Sequence, residues 1–320
     1  MISCTEFIPL YSEFFWFLDE KGGHDAVLKY WYYIADNGIG DKTNPNSLIS
    51  FVEREKEGDA YYGAVKYWQH TLAEESSDVL KVHDLKNKCT YSHMRHCPSR
   101  GRLNALKHIE PYYDYCGHCD VIYQHILDQY GVMHEMDLSK IDNAECSSFL
   151  YDIKTGIDKE SAMRIDDTKI VEDLKPEDNK YLHRDFHVSG DLALRYCGEQ
   201  FGDEEVVLFL TNFTKKFYAP QIEDIKARGL VAFKEWIEKT YEVEEASDVL
   251  TTELTDDKLT VTISKCPVVA YMRSLNQEPT KHYVEETRTV YRTAAEEAGF
   301  DFDMEYYTED GGTRFTIRKK

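Results

Sequence analysis

An internal repeat is the feature that most constrains what this chain can fold into. When the sequence is compared with itself, matching segments recur in the same order at an offset of 168 to 170 residues. The matches are Lys66-Tyr67-Trp68 with Lys234-Glu235-Trp236, Ser77 to Leu80 with Ser247 to Leu250, Cys97-Pro98 with Cys266-Pro267, and Tyr123, Gly131 and Met136 with Tyr291, Gly299 and Met304. An offset that drifts so little predicts two copies of one domain.

Each copy shows the same succession of helix and strand patterns. Amphipathic helical patterns come first, over residues 12–33 and 53–72 in the first copy and over 192–218 and 221–241 in the second. A β-hairpin pattern follows, then Cys-Pro, a helix that a glycine ends, and two more strands. The sequence therefore predicts an α+β fold of two repeated domains, each with helices packed on an antiparallel sheet of about four strands.

The repeat also predicts the domain boundaries. Residues 1–151 would form the first domain and residues 180–320 a degenerate second one, with the Asp-, Glu- and Lys-rich stretch 152–179 as a linker or peripheral helix. Homologous domains on one chain commonly pack about a pseudo-twofold axis. We therefore expect either a monomer of that kind or a homodimer.

The charge balance bears on the partners and the compartment. The chain has 38 basic and 59 acidic residues and a net charge of −21, which opposes nucleic acids and anionic membranes as partners. No apolar stretch approaches the roughly 18 residues of a membrane span, and no basic and apolar segment resembling a secretory signal opens the chain. We expect a cytoplasmic protein that acts on a small molecule and whose 8 cysteines stay reduced.

Cysteine and histidine residues are concentrated in the first copy. They lie in the segments His96-Cys97-Pro98, Tyr115-Cys116-Gly117-His118-Cys119-Asp120 and Glu145-Cys146-Ser147. Cys119 is predicted at a helix start, where the helix dipole would lower the pKa of its thiol and make it a nucleophile. His118 or His125 would accept its proton, and Asp120 would orient the imidazole. Because adjacent residues on a helix point in different directions, His118 would need a non-helical backbone.

Other interpretations of these cysteines remain open. Cys97, Cys116, Cys119 and Cys146 with a histidine could bind zinc, which thiolate and imidazole ligands suit; no other cofactor is predicted. Each cysteine could instead be a small hydrophobic core residue. The tetrapeptide Cys116-Gly117-His118-Cys119 has the spacing of a disulfide isomerase motif, but no βαβ pattern surrounds it.

The second copy lacks most of this set. The positions of Cys116, Cys119 and Asp120 are taken by Val284, Thr287 and Arg288, the Cys146 region becomes Gly311-Gly312-Thr313, and only Cys266 persists. If the cysteines are functional, the second copy is predicted to be a non-catalytic partner; if they are core residues, their loss is evolutionary drift. It has its own pair, His183 and His187, at the spacing of two metal ligands on one helix face, without an identifiable third ligand.

The succession of a hairpin ending in Cys-Pro, a Cys-Asp at the next helix and a Cys-x-x-Phe strand resembles a known family. It is similar to the L-2-amino-thiazoline-4-carboxylic acid hydrolase family, whose members are mostly bacterial. The resemblance is carried by Cys97-Pro98, Cys119-Asp120, Cys146-Ser147-Ser148-Phe149, Cys266-Pro267 and residues 291–299. It implies hydrolytic opening of a small cyclic C=N compound by the first copy alone. The domain also resembles vinyl-reductase-type small-ligand domains, which would imply binding without turnover.

Together these observations give one principal hypothesis and one alternative. The chain is predicted to be a hydrolase of a C–N bond in a small cyclic substrate, with Cys119 as nucleophile, His118 as base and Asp120 as orienting acid. Tyrosine rings ahead of the site could stack on a flat substrate. The residues predicted to bind the substrate are Cys97, Cys146, Tyr112, Tyr113 and Tyr115. The alternative is a non-enzymatic protein that binds a small ligand or metal in a pocket of the duplicated fold.

Overall fold

The computed structural model describes residues 1–55 and 58–320, which divide into two compact units. Residues 18–183 form one of them, the central unit, and residues 1–17 together with 184–320 form the other, the composite unit. The boundaries differ from the predicted ones. The first residues of the chain belong with its C-terminal half, and the charged stretch after residue 151 belongs with the first copy.

The central unit contains a five-stranded antiparallel sheet. The first helix of the chain, α1 (Phe7–Gly22), begins in the composite unit and ends in this one. The helices that follow are α2 (His24–Ile34), α3 (Leu48–Arg54), α4 (Ala60–Ala73), α5 (Pro98–Ala105), α6 (Gly117–Leu127) and α7 (Lys159–Met163). The strands are β1 (Asp78–Asp84), β2 (Cys89–His96), β3 (Val132–Asp137), β4 (Cys146–Asp152) and β5 (Ile170–Leu174). They lie in the order β3-β4-β2-β1-β5.

The composite unit contains a four-stranded antiparallel sheet in the order β6-β7-β9-β8. Its strands are β6 (Leu250–Leu254), β7 (Lys258–Ile263), β8 (Phe300–Tyr307) and β9 (Thr313–Lys319). Its helices, after the first part of α1, are α8 (Phe186–Phe201), α9 (Asp203–Phe217), α10 (Ala219–Arg228), α11 (Leu230–Val243), α12 (Pro267–Ser274) and α13 (Val284–Glu297).

The two sheets share one strand order. Taken from its other edge, the second sheet runs β8-β9-β7-β6, which matches β3-β4-β2-β1 of the first. In each unit the proline of the Cys-Pro pair begins the helix that follows the hairpin. The backbone N–H of the cysteine donates to a carbonyl in the loop that precedes β4 in the central unit and β9 in the composite unit. Cys97 donates to the Ala144 carbonyl at 2.7 Å, and Cys266 donates to the Asp310 carbonyl at 2.9 Å. The α+β fold of two sheet-and-helix units is confirmed, and the shared order agrees with the predicted repeat.

Part of the charged stretch 152–179 forms a strand of the central sheet. β5 pairs with β1 along Val79 to His83, and its Ile170 and Val171 are β-branched residues that favour a strand. Arg95 of β2 binds the Asp78 and Asp173 carboxylates on the two strands beyond it. The acidic and basic residues of this stretch thus hold an added edge strand in place.

Glycines interrupt helical patterns that were predicted as continuous. The pattern over residues 12–33 divides between α1 and α2 at Gly23, whose φ is +68°. The pattern over 192–218 divides between α8 and α9 at Gly202, whose φ is +100°. Residues with side chains rarely adopt these angles, so a glycine there ends one helix and redirects the chain. The predicted helix over 53–72 includes residues 56 and 57, which lie outside the described residues; α4 accounts for its second part.

In the described part of the chain, no helix is both long enough and apolar enough to span a bilayer. Aromatic side chains of the first part of α1 pack inside the composite unit. In the composite unit, Phe14 of α1 packs edge-on against Phe209 of α9 with ring centroids 5.0 Å apart. This packing explains why the first residues of the chain belong to that unit.

Candidate functional site

The four cysteines of the predicted site converge in the central unit. Cys97 caps α5 directly after β2, Cys116 and Cys119 lie at the start of α6, and Cys146 begins β4 opposite Met94 of β2. The antiparallel pairing of β2 with β4 brings the end of one strand to the start of the other. Negative charge at Cys116, Cys97 or Cys146 would raise the pKa of the Cys119 thiol further, so the four residues are near enough to interact electrostatically.

Cys119 and His118 form a hydrogen-bonded pair. The Cys119 Sγ lies 3.4 Å from the His118 Nε2, and the His118 Nδ1–H donates to the Tyr115 carbonyl just before the helix. Because a carbonyl only accepts, the Nδ1 carries the proton and the Nε2 lone pair faces the thiol. The expectation that His118 would need a non-helical backbone was wrong. The imidazole folds back toward Tyr115 in the first helical turn, and this brings Nε2 to the next side chain.

The electrostatics of this pair differ from those expected at a helix start. Desolvation by the surrounding protein raises the pKa of the Cys119 thiol well above its ordinary value and lowers the pKa of His118 to about 4. The helix dipole does not outweigh this desolvation, so the predicted lowering of the thiol pKa was wrong. At neutral pH a neutral thiol therefore donates to a neutral imidazole. Both residues keep part of their surface exposed, which leaves a route for a reactant.

The raised pKa predicts slow alkylation of Cys119. At pH 8 we expect iodoacetamide to modify Cys119 more slowly than it modifies glutathione, because only the thiolate reacts and its population is small. The rate should keep rising above pH 9. The measurement is peptide-resolved mass spectrometry over a pH series on the folded protein. A Cys119 that reacts faster than glutathione at pH 7 would contradict the neutral pair.

The neighbouring thiols are neutral as well, and a cation lies beside them. Desolvation raises the pKa of Cys97 to about 11 and those of Cys116 and Cys146 to about 12. The backbone N–H of Arg100 donates to the Cys97 Sγ at 3.4 Å, and the charge of the Arg100 side chain acts against the raised pKa of both Cys97 and Cys116. Its Nη1 is buried and has no hydrogen-bond partner among the described residues. Sequence reasoning missed Arg100, because no motif marks an arginine in a short helix.

Glu75 is a second residue that the sequence analysis missed. It lies between α4 and β1, its side chain is 16% exposed, and it faces the His183 Nε2 at 3.9 Å. Its charge raises the pKa of both the Cys97 and the Cys119 thiols, which places it beside the cluster. The signal that could have found it is the repeat, because Glu75 corresponds to Glu244 at an offset of 169.

Asp120 and His125 lie beside other groups. Desolvation and the nearby Glu135 raise the pKa of the Asp120 carboxyl, and the His125 Nε2 binds the Asp36 carboxylate at 2.9 Å. Both ring nitrogens of His118 are engaged, by the Tyr115 carbonyl and by the Cys119 thiol. The orienting role predicted for Asp120 is therefore filled at Nδ1 by a backbone carbonyl.

The three tyrosines that were predicted to bind the substrate lie in two different environments. Tyr115 is 2% exposed, and its ring lies 4.8 Å from the His118 ring, centroid to centroid, in a T-shaped contact. The Tyr112 hydroxyl donates to the Asp19 carboxylate at 3.2 Å and lies 3.0 Å from the His24 Nδ1. Tyr113, which is 57% exposed, packs on Tyr112. Tyr115 thus belongs to the site, whereas Tyr112 and Tyr113 contact the start of α2.

The predicted histidine pair does not share a helix face. His183 precedes α8 and belongs to the central unit, where its Nδ1 lies 2.8 Å from the Glu74 carboxylate. His187 lies on α8 in the composite unit, and its Nε2 lies 3.0 Å from the Glu244 carboxylate. Each histidine therefore pairs with a glutamate that follows the last helix before a hairpin.

The zinc alternative has a defined geometric requirement. Within the described ranges, no three ligand atoms that include these cysteine sulfurs lie within 4.8 Å of one another, and all four site cysteines are thiols. Tetrahedral zinc would require the sulfur atoms to come closer together through a rearrangement of their side chains or backbone. Zinc binding stays a prediction.

Comparison of the chain with models of known protein families, with curated proteins and with solved structures finds no match. The class of the site therefore follows from its own geometry. It is a neutral thiol–imidazole pair at a helix start, inside a cluster of four cysteines, with a cation and a carboxylate beside it.

Proposed function

We propose that the central unit is a thiol-dependent hydrolase that opens a C–N bond of a small cyclic substrate. The observation that carries this proposal is the contact of 3.4 Å between the Cys119 Sγ and the His118 Nε2. A thiol beside an imidazole whose other nitrogen is fixed by a hydrogen bond is the arrangement of an activated nucleophile. The resemblance to L-2-amino-thiazoline-4-carboxylic acid hydrolases supports a cyclic C=N substrate.

The proposed reaction uses one water for each bond broken. As the Cys119 Sγ attacks the substrate carbon, its proton passes to the His118 Nε2. The imidazolium returns this proton to the ring nitrogen. In a cyclic amidine the exocyclic amino group supplies a second proton to that nitrogen, the ring C–N bond breaks, and a thioimidate remains on Cys119 with the new amine still attached to it. A lactam, whose carbon already carries an oxygen, leaves a thioester instead. Water then gives a proton to the His118 Nε2 and adds to the thioimidate or thioester carbon. The C–S bond breaks, and Cys119 recovers its proton from His118.

A neutral resting pair suits this sequence of steps. Two separated charges would be costly in a desolvated site, so proton transfer and attack are expected to occur together. The negative charge that develops on the substrate needs a nearby cation. The Arg100 Nη1, which is buried without a partner among the described residues, can supply that charge and a hydrogen bond.

The test is direct detection of the covalent intermediate. We expect cyclic amidines, aminothiazolines and lactams, incubated with the protein and quenched with acid, to add the mass of one substrate molecule to the peptide that contains Cys119, because the ring nitrogen stays attached after its bond breaks. A ring-opened product with a free amine should appear in the same samples. An adduct on another cysteine, or formation of this product by a Cys119→Ser variant at the original rate, would contradict the proposal.

The alternative function is binding without turnover, and the raised pKa of the Cys119 thiol favours it. In that case a ligand from the same panel would bind stoichiometrically without a covalent adduct or ring opening. The proposed thiol chemistry would need a reducing compartment such as the cytoplasm, where cysteines stay reduced.

A further inference from the structure

The two sheets differ at one edge. Strand β1 of the central sheet and strand β6 of the composite sheet hold the same position in the shared strand order. The outer side of β1 is covered by β5, which pairs with it from Val79 to His83. Among the strands that the structure describes, β6 has β7 as its only neighbour. The position that β5 occupies in the central unit is therefore open in the composite unit.

The ends of the β6–β7 hairpin determine which residues of β6 bond to β7. At one end the Thr255 N–H donates to the Lys258 carbonyl at 2.8 Å, and at the other end the Ser264 N–H donates to the Val249 carbonyl at 2.9 Å. In an antiparallel pair, every second residue exchanges hydrogen bonds with its partner. The odd-numbered residues of β6 therefore bond to β7, and the even-numbered residues direct their N–H and carbonyl groups to the open side. These even-numbered residues are Leu250, Thr252 and Leu254.

The open edge formed by β6 has an exposed leucine and little charge. Leu254 is 38% exposed, although proteins commonly protect a sheet edge by covering it or by placing charged residues along it. Glu253 is the only charged residue of the strand. At the other edge of the same sheet, β8 has exposed acidic residues at positions 301, 303 and 305, which would repel a second β8. Extension of the sheet is thus favoured at β6 and opposed at β8.

We propose that β6 pairs in antiparallel orientation with β6 of a second copy of this chain. A twofold axis at Thr252 places this residue opposite itself and Leu250 opposite the partner's Leu254, so that outward N–H and carbonyl groups meet and exchange hydrogen bonds. Thr251 then lies opposite the partner's Glu253, and no two like charges face each other within the paired strands. Because a twofold contact is closed, it stops at a dimer. The pairing involves the composite unit alone and does not depend on the proposed function.

The fifth strand of the central unit shows why the occupant of this edge is a second β6 and not a charged strand. In the central unit, the acidic side chains of β5 have cationic partners on the neighbouring strands. Arg95 binds Asp173, and the Lys81 Nζ lies 3.7 Å from the Glu172 carboxylate. β6 has no lysine or arginine, so the carboxylates of a strand like β5 would have no such partner on it. A strand with little charge, such as β6 itself, matches this edge.

The test measures association of the whole chain by sedimentation equilibrium in reducing buffer, which excludes intermolecular disulfides. Because the paired strands are short, we expect a Kd on the order of 100 µM. Thr252→Pro should weaken association at least about tenfold, because it removes the outward N–H at the axis and leaves the hydrogen bonds to β7 in place. Thr252→Val is the matched control. It also loses the hydroxyl that donates to Glu238 at 2.6 Å, and its Kd should stay within about threefold of wild type.

Two substitutions at Thr251 should have effects of opposite sign. Thr251→Lys places an ammonium group opposite the partner's Glu253 at both symmetric positions, and it should strengthen association by about 3- to 10-fold. Thr251→Glu places carboxylates opposite each other, and it should weaken association by a similar factor. Both effects should decrease at high salt, because the paired groups are exposed to solvent.

Three results would overturn the proposal. They are a monomer at every concentration up to about 1 mM, a dimer that Thr252→Pro leaves intact, and shifts of the same sign from the two Thr251 variants. Urea unfolding of each variant establishes that it is folded. If Thr252→Pro does not fold, the opposite signs expected for the Thr251 variants still decide between pairing at β6 and association through another surface.

Discussion

Replacing Cys119 by alanine should reduce turnover by a factor on the order of a thousand or more, because the covalent route is lost with the sulfur. The change removes one atom and leaves the hydrogen bond from the His118 Nδ1 to the Tyr115 carbonyl in place. The imidazole would then have only water to activate. The measurement is kcat for formation of the ring-opened product with the best substrate of the panel, together with the mass of the Cys119-containing peptide.

Cys89→Ala is the matched control for the loss of a thiol. Cys89 is also buried in the central unit, and desolvation raises its pKa to about 12. It begins β2, whereas the cluster lies beyond the other end of that strand, roughly 20 Å away. Its kcat should stay within about twofold of wild type. A Cys119→Ala protein with more than a tenth of the original kcat would show that Cys119 is not the nucleophile.

The order of helices and strands could be predicted from the sequence, because each element has its own local pattern of apolar residues and turns. Strands β6 and β7 show period-two alternation of β-branched residues, and the helices before Gly131 and Gly299 end where a glycine follows. Two features of the fold depend on contacts between segments far apart in the chain, and they could not be predicted in this way. β5 formed within a charged stretch because β1 had an open edge, and residues 1–17 joined the composite unit. No periodicity specifies which partner an amphipathic helix selects.

The residues of the candidate site could be selected from the sequence, but neither their convergence nor their electrostatics could be predicted. Cys97, Cys119 and Cys146 lie in segments far apart along the chain, and only the pairing of β2 with β4 and the position of α6 bring these segments into one unit. The sign of the pKa shift could not follow, because desolvation depends on residues from several elements. Arg100 and Glu75 carry no motif, and they become evident only when the charges around the thiols are placed in three dimensions. The repeat gave one signal for Glu75, because a glutamate, Glu244, occurs at the corresponding position of the second copy.

Replacing Glu244 by alanine should destabilise the composite unit by about 3–5 kcal/mol, the usual cost of breaking a buried ion pair by removing one partner. The Glu244 and His187 side chains are 2% and 5% exposed and lie 3.0 Å apart. The variant would leave His187 without its carboxylate and the Cys4 N–H without its acceptor. The measurement is the free energy of unfolding from urea titrations at pH 7. Glu242→Ala, at a solvent-exposed position near the end of α11, the helix that Glu244 follows, should have little effect.

The same pair predicts how stability depends on pH. Burial alone would raise the pKa of Glu244, but the charge and hydrogen bond of His187 and the Cys4 N–H lower it below its ordinary value of 4.5. A carboxyl whose pKa is lower in the folded protein stabilises the fold above its unfolded pKa, and this contribution is lost as the pH falls through the folded value. Wild-type stability should therefore drop below about pH 4.5, and the Glu244→Ala protein should lose less over the same range. Equal losses in the two proteins would show that the acid sensitivity arises from other carboxylates, and that the contacts of Glu244 contribute little to holding the first residues of the chain.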